Sequence, residues 1–141
     1  MSGVSFFVPG HPQGKGRPRI GKVGPHARSM FTPQKTAAYE GLIALAGQAA
    51  MAGREPITGA VAVVLDICLE VPASWSKKKA AAALAGREHP TKKPDIDNVE
   101  KAIFDGLNGV AWVDDVQVVD VVKRKRYGAL PGVQVDIEVL S

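Results

Sequence analysis

Two carboxylates two residues apart, Asp95 and Asp97, open the stretch of this chain whose side chains could do chemistry together. It reads Pro94-Asp95-Ile96-Asp97-Asn98-Val99-Glu100-Lys101 and continues through Asp105 to Asp114-Asp115. Hard divalent cations take oxygen ligands, and Mg²⁺ is held by a few carboxylates, with water and substrate phosphate completing its shell. Asp95, Asp97 and one member of the Asp114-Asp115 pair make such a donor set. Only one of that pair can face the site if the segment is extended, because adjacent side chains point to opposite sides. A cation held there would polarise a phosphate oxygen and lower the pKa of a bound water, giving a nucleophile at neutral pH. Lys101 is a compact charge that can meet the phosphate as negative charge builds. The ordinary reading uses the same residues differently. An Asp at a helix start is routinely an N-cap, and Asp97 and Lys101 are spaced as an i, i+4 ion pair. Asp105 reads as solvated or lysine-paired.

The elements that must carry these residues follow from periodicity. Val99, Ile103 and Leu107 recur at four-residue steps and form an apolar stripe with Ile96, so residues 96–107 are expected as a helix ended by Asn108-Gly109. Asp97, Lys101 and Asp105 lie on roughly its opposite face, and Asp95 sits at its positive end. Upstream, Val4–Val8 reads as a strand ended by Pro9-Gly10. Thr32-Pro33 opens a helix with Tyr39, Leu42, Ile43, Leu45 and Ala46 as its apolar face and Gly53 as its stop. Ala60–Val71 is β-branched and almost continuously apolar, as a central strand would be. Ser74 or Ser76 caps a second helix that runs to Gly86, and 110–113, 116–125 and 133–140 are strand-like. The expected fold is mixed α+β: a single domain with a sheet of about four or five strands and three helices.

The charge is unevenly spread. Residues 1–93 hold thirteen Lys/Arg and five Asp/Glu, and residues 94–141 hold five and nine, which together give the net +4. A basic half beside an acidic cluster suits a metal-dependent enzyme acting on a polyanion. Residues 10–31 read as a long basic loop without structure of its own, and loops of that kind in compact domains are usually functional or mobile. Within it, Gly14-Lys15-Gly16-Arg17-Pro18-Arg19 reads as a flexible strap for a nucleic-acid backbone, joined by Lys22 and Arg28. A phosphate-binding P-loop is excluded, because the glycine spacing is one residue short and Gly16 stands where Ser or Thr must be. Lys92 and Lys93, directly before the acidic motif, read as phosphate contacts. Lys77-Lys78-Lys79 reads as a solubility feature. Lys123-Arg124-Lys125-Arg126 alternates along a strand, so half of it must face away from any one ligand.

Other residue types narrow the class. Cys68 is the only cysteine, so no intrachain disulfide or Cys-rich zinc site can form, and it reads as a small buried hydrophobe. His11, His26 and His89 make no metal-ligating pair. Trp75 and Trp112 read as core or rim packing. No apolar stretch approaches the roughly 20 residues that span a bilayer, and no signal peptide is visible, so a soluble, cytoplasmic protein is expected.

These residues resemble the RusA-type Holliday junction resolvases. The resemblance runs through Val8-Pro9-Gly10, Gly14-Lys15-Gly16-Arg17-Pro18-Arg19, Phe31-Thr32-Pro33-Gln34-Lys35-Thr36, Tyr39-Glu40 and Trp75-Ser76-Lys77-Lys78-Lys79. Its most specific part is Lys93-Pro94-Asp95-Ile96-Asp97-Asn98, Lys101, Asp105, Asn108-Gly109 and Trp112-Val113-Asp114-Asp115-Val116-Gln117-Val118. The resemblance implies that Asp95, Asp97 and Asp115 are the essential metal-holding carboxylates and Lys101 the catalytic lysine. It implies Mg²⁺ as cofactor, with Mn²⁺ able to substitute, and a homodimer with two active sites. The implied activity is paired nicking of opposed strands in a four-way DNA junction, in recombination and repair. Two other classes stay open: a non-catalytic DNA-binding protein, in which Asp95 and Asp97 only start a helix, and an adaptor of a phage replication module.

Overall fold

The computed structural model describes residues 3–15, 19–22, 28–31 and 34–140. Among these residues are six strands, β1 (Gly3–Pro9), β2 (Arg19–Lys22), β3 (Arg28–Phe31), β4 (Val61–Glu70), β5 (Val118–Gly128) and β6 (Gly132–Val139), and three helices, α1 (Gln34–Met51) between β3 and β4, and α2 (Lys77–Leu84) and α3 (Ile96–Leu107) between β4 and β5. A 3₁₀ turn, Asp115–Gln117, leads into β5. The main sheet has the order β1-β6-β4-β5. β6 pairs antiparallel with β1 and β4, whereas β4 and β5 run parallel. Parallel neighbours need a crossover of a dozen or more residues. That crossover contains α2 and α3, and it places α3 against the sheet and against β5. The mixed α+β fold, the four-stranded sheet and the three helices are as expected, and β4 is interior as its apolar run required.

One face of the sheet forms the core. Val63, Leu65 and Ile67 of β4 meet Val133, Val135 and Ile137 of β6, beneath Ile43 of α1 and Val99, Ile103 and Leu107 of α3. The α1–α3 crossing is close because two glycines sit in it. A Cβ on Gly106 would lie 2.8 Å from Ile43 Cγ2 and 3.1 Å from the Glu40 carbonyl oxygen, and one on Gly47 would lie 2.7 Å from Leu107 Cδ2.

Four expectations are corrected. The basic run 10–31 is not wholly a loop, because β2 and β3 pair antiparallel within it, with Lys22 opposite Arg28. Residues 110–113 are a turn rather than a strand. Trp112 is fully buried there, and only isolated bridges to Ile57 and Asn108 form, too few to make a ladder. Residues 116–117 belong to the 3₁₀ turn, so β5 starts at Val118. On α1, Leu45 is 63% exposed. The buried stripe is Thr36, Tyr39, Ile43, Gly47 and Met51, and Leu45 stands about 200° round from Ile43 on a 3.6-residue turn. The expected cap at Thr32-Pro33 lies outside the described residues.

Candidate active site at the start of α3

Asp95 occupies the N-cap position of α3 with extended backbone angles, φ −82° and ψ 157°. Its side chain makes no capping hydrogen bond. Ser76 in the same position of α2 accepts from the Lys79 N–H at 3.2 Å. Asp95 is thus the N-cap residue of α3 by position, with its side chain left free of the capping hydrogen bond. An exposed carboxylate stands at the positive end of a helix without serving the helix backbone.

Around it lies an open groove of about 630 Å³, lined by Lys15, Thr91, Lys92, Lys93, Asp95, Asn98 and Lys125. An adjoining hollow adds His11, Gln13 and Lys35 beside Lys93, Pro94 and Asp95. Among the described residues, Lys35, Lys92 and Lys93 make no ion pair, so their charge is available to an anion. A single carboxylate ringed by such ammonium groups is a surface that draws phosphate towards an acidic centre.

The residues expected on a free strap are partly tied down. The Lys15 N–H donates to the Asn98 carbonyl at 2.9 Å, and Gly14 rests on Asn98, where a Cβ would come within 2.9 Å of the Asn98 Cβ. The Lys15 ammonium meets Glu40 Oε2 at 2.5 Å and Asp105 Oδ2 at 3.0 Å, and the side chain is 21% exposed. Burial works against its charge, but the hydrogen bonds to Glu40 and Asp105 outweigh that and raise its pKa. Lys15 thus docks the N-terminal segment onto α1 and α3. Arg17 lies outside the described residues, and Arg19, Lys22 and Arg28 belong to the β2–β3 hairpin.

The expected Asp97–Lys101 pair is not made. Lys101 reaches Asp105 Oδ1 at 3.3 Å, so Asp105 sits between two ammonium groups, Lys15 and Lys101. Asp97, at 86% exposure, instead accepts from Lys123 of β5 at 2.8 Å, and the same ammonium lies 2.9 Å from Glu100 Oε1. The Lys123 hydrogen bond and charge hold the Asp97 carboxyl below the usual carboxylate range. Two places further along β5, Lys125 donates to the carbonyls of Lys92 (2.8 Å) and Pro94 (3.0 Å). Lys123 and Lys125 therefore face α3. Arg126 meets Asp66 in a two-pronged contact, with Nε–Oδ1 and Nη2–Oδ2 both at 3.1 Å, and Arg124 approaches the same carboxylate. The alternation of this basic run was legible, but its acidic partners were not.

Asp115 begins the 3₁₀ turn, which packs against α3. Sequence reasoning missed the residue that fixes this turn. The Gln117 side-chain oxygen accepts from the Val113 and Asp114 N–H groups, both at 2.9 Å. Its amide nitrogen donates to the carbonyls of Ile57 (2.7 Å) and Gly59 (2.9 Å). Among the described residues, no three Asp, Glu, His or Cys side chains close into a cation cage. The donor chemistry nonetheless fits a hard divalent ion: the acidic side chains here offer only oxygen, and Asp95 is not committed to a cap. Trp112 and Cys68 are buried as expected, and Trp75 packs edge-on against Tyr127 with Lys79 over its ring. No described helix is long and apolar enough to cross a membrane.

Comparison with known proteins places the chain in a family. An uncharacterized protein of Bacillus subtilis (strain 168), YqaN, is 36% identical over 146 residues, a match that covers all of this chain and 99% of the relative. The family model described as Endodeoxyribonuclease RusA matches residues 9–138, which take in the groove, α3 and the 3₁₀ turn. The chain belongs to the RusA endodeoxyribonuclease family.

Proposed function

We propose that this protein is a divalent-metal-dependent endonuclease that resolves four-way DNA junctions by paired nicks in opposed strands. The observation that carries the reading is Asp95: a carboxylate at a helix start, free of any capping bond, in a groove lined by lysines. A non-catalytic DNA-binding protein would have no use for negative charge in the middle of a phosphate-attracting surface. Asp95, Asp97 and Asp115 would hold Mg²⁺ or Mn²⁺, which supplies Lewis acidity and an activated water when bound. Lys35, Lys92 and Lys93 would hold the phosphodiester backbone in the groove. Lys101 would offer its ammonium to the phosphoryl oxygens as charge develops, with Asp105 restraining it between turns. Two copies of the chain related by a two-fold axis would suit the symmetry of the junction.

Incubating a labelled four-way junction and a linear duplex of the same sequence, each with and without Mg²⁺, tests the proposal. Paired, Mg²⁺-dependent nicks confined to the junction are expected. Binding without cleavage, with Mg²⁺ or without it, would establish the non-catalytic alternative, and absence of salt-sensitive DNA binding would establish the adaptor.

A further inference from the structure

The inner face of β5 presents two lysines to the acidic motif, and each makes two contacts there. Lys125 donates to the carbonyls of Lys92 and Pro94, so one ammonium grips the backbone on both sides of Lys93, immediately before Asp95. Lys123 lies between Asp97 and Glu100 at 2.8 and 2.9 Å. Two carboxylates three residues apart on α3 thus converge on a single positive charge supplied by another element. An ammonium has three donors and no acceptor, which suits both tasks. The β4–β5 parallel pairing brings the lysines there, because the crossover that contains α3 must return to the strand next to β4.

We infer that Lys123 and Lys125 are positioning residues for the acidic motif. Lys125 fixes the backbone that presents Asp95, and Lys123 is the resident counter-ion of Asp97 and Glu100, which gives way when a divalent cation binds. The inference rests on the proposed role of Asp95 and Asp97 as cation-holding carboxylates. The two lysines predict opposite effects. Lys125 supports the donor geometry, so its loss weakens cation binding. Lys123 competes for the same carboxylates, so its loss strengthens cation binding. The Lys123–Asp97 contact is exposed, and exposed ion pairs are weak enough for a divalent ion to displace.

The test is a Mn²⁺ titration of the whole chain without DNA, followed by the loss of the free-ion electron paramagnetic resonance signal. Lys123→Met should bind Mn²⁺ several-fold more tightly than the parent, because a competing positive charge is gone. Lys125→Met should bind about tenfold or more weakly, the usual scale for groups that orient metal ligands. Lys125→Arg, which keeps the charge and the donors, should recover part of that loss and serves in place of Lys125→Met if that variant does not fold. Loss of structure alone cannot tighten binding, so the Lys123 result separates a counter-ion from a merely structural lysine. Unchanged or weaker binding by Lys123→Met overturns the counter-ion role, and parent-like binding by both Lys125 variants overturns the clamp. Failure of the parent itself to bind Mn²⁺ would instead refute the cation-holding role of the aspartates, and this inference with it.

Discussion

Single side chains at the head of α3 differ in what restrains them, and the difference predicts how each responds to replacement. Asp97→Asn removes a proposed metal ligand and a negative charge close to phosphate. Nicking should be abolished while junction affinity stays equal or rises; near-normal Mg²⁺-dependent cleavage would refute the assignment. Lys101→Ala should slow single-turnover cleavage of bound junction about 100-fold or more, the scale for loss of one transition-state donor, with little loss of affinity. A Lys101 that only pairs with Asp105 would leave that rate at the parent value. Tyr39 on α1 is buried, its hydroxyl makes no well-formed hydrogen bond among the described residues, and burial pushes its pKa up to about 12, with the Gln13 backbone offsetting this only in part. The unfolded chain releases this proton near the ordinary value of 10, whereas the native chain holds it to about 12. The native state therefore binds more protons across that interval, and stability should fall as pH rises from 10 to 12, by up to about 3 kcal/mol. Denaturant melts of Tyr39→Phe should show a flatter alkaline limb and only a small change at pH 7, since the hydroxyl removed makes at most a poorly formed contact with the Gln13 backbone. A parent-like alkaline limb would place the pH sensitivity elsewhere.

At the scale of elements, the α1–α3 crossing sets the spacing of Glu40 and Asp105, the two carboxylates that hold Lys15. Gly106→Ala forces a methyl group against Ile43 and the Glu40 carbonyl, and backbone cannot step aside as a side-chain tip can. It should cost about 1–3 kcal/mol in chemical denaturation, the range for overpacking, and should loosen the N-terminal segment as the Lys15 contacts open. An unchanged midpoint would mean that the helices part without penalty. Gln117→Ala should cost about 1–3 kcal/mol as well, because the Asp114 N–H and the Gly59 carbonyl lose this partner outright, while the Val113 N–H and the Ile57 carbonyl keep only their 3.3 Å bond to each other. If the turn it fixes presents Asp115, cleavage should fall further than the stability loss explains, and activity measured well below the melting temperature checks this.

Across the whole molecule, the basic surplus of the first 93 residues should make DNA affinity salt-dependent, with each phosphate neutralised adding about 0.9 to the log–log slope on B-form DNA. Lys15 is already paired, so Lys15→Ala should change that slope less than Lys92→Ala combined with Lys93→Ala, whose ammonium groups are free of acidic partners among the described residues. Titrations of binding against salt for the two variants decide it. Equal flattening would show that Lys15 leaves Glu40 and Asp105 to reach phosphate.

Much of this architecture was legible before any coordinates. Four-residue recurrence of Val99, Ile103 and Leu107 set the length and buried side of α3, and the β-branched run 60–71 identified an interior strand, observed as Val61–Glu70, because local periodicity and burial are the same physical fact. The type and spacing of Asp95 and Asp97 suggested the oxygen-donor chemistry on which the proposed function rests. Partner choice was not local. Asp97 pairs with Lys123, 26 residues away, rather than with Lys101, and Lys15 pairs with Glu40, 25 residues away. Ion pairing depends on distance in space, and the sheet order and the α1–α3 crossing set those distances. The β2–β3 hairpin was hidden because glycine, proline and charge dominate its surroundings and leave no apolar alternation to read. The sequence thus determined which groups are available for chemistry, while the tertiary structure decided which of them are already spent on one another and which face the groove.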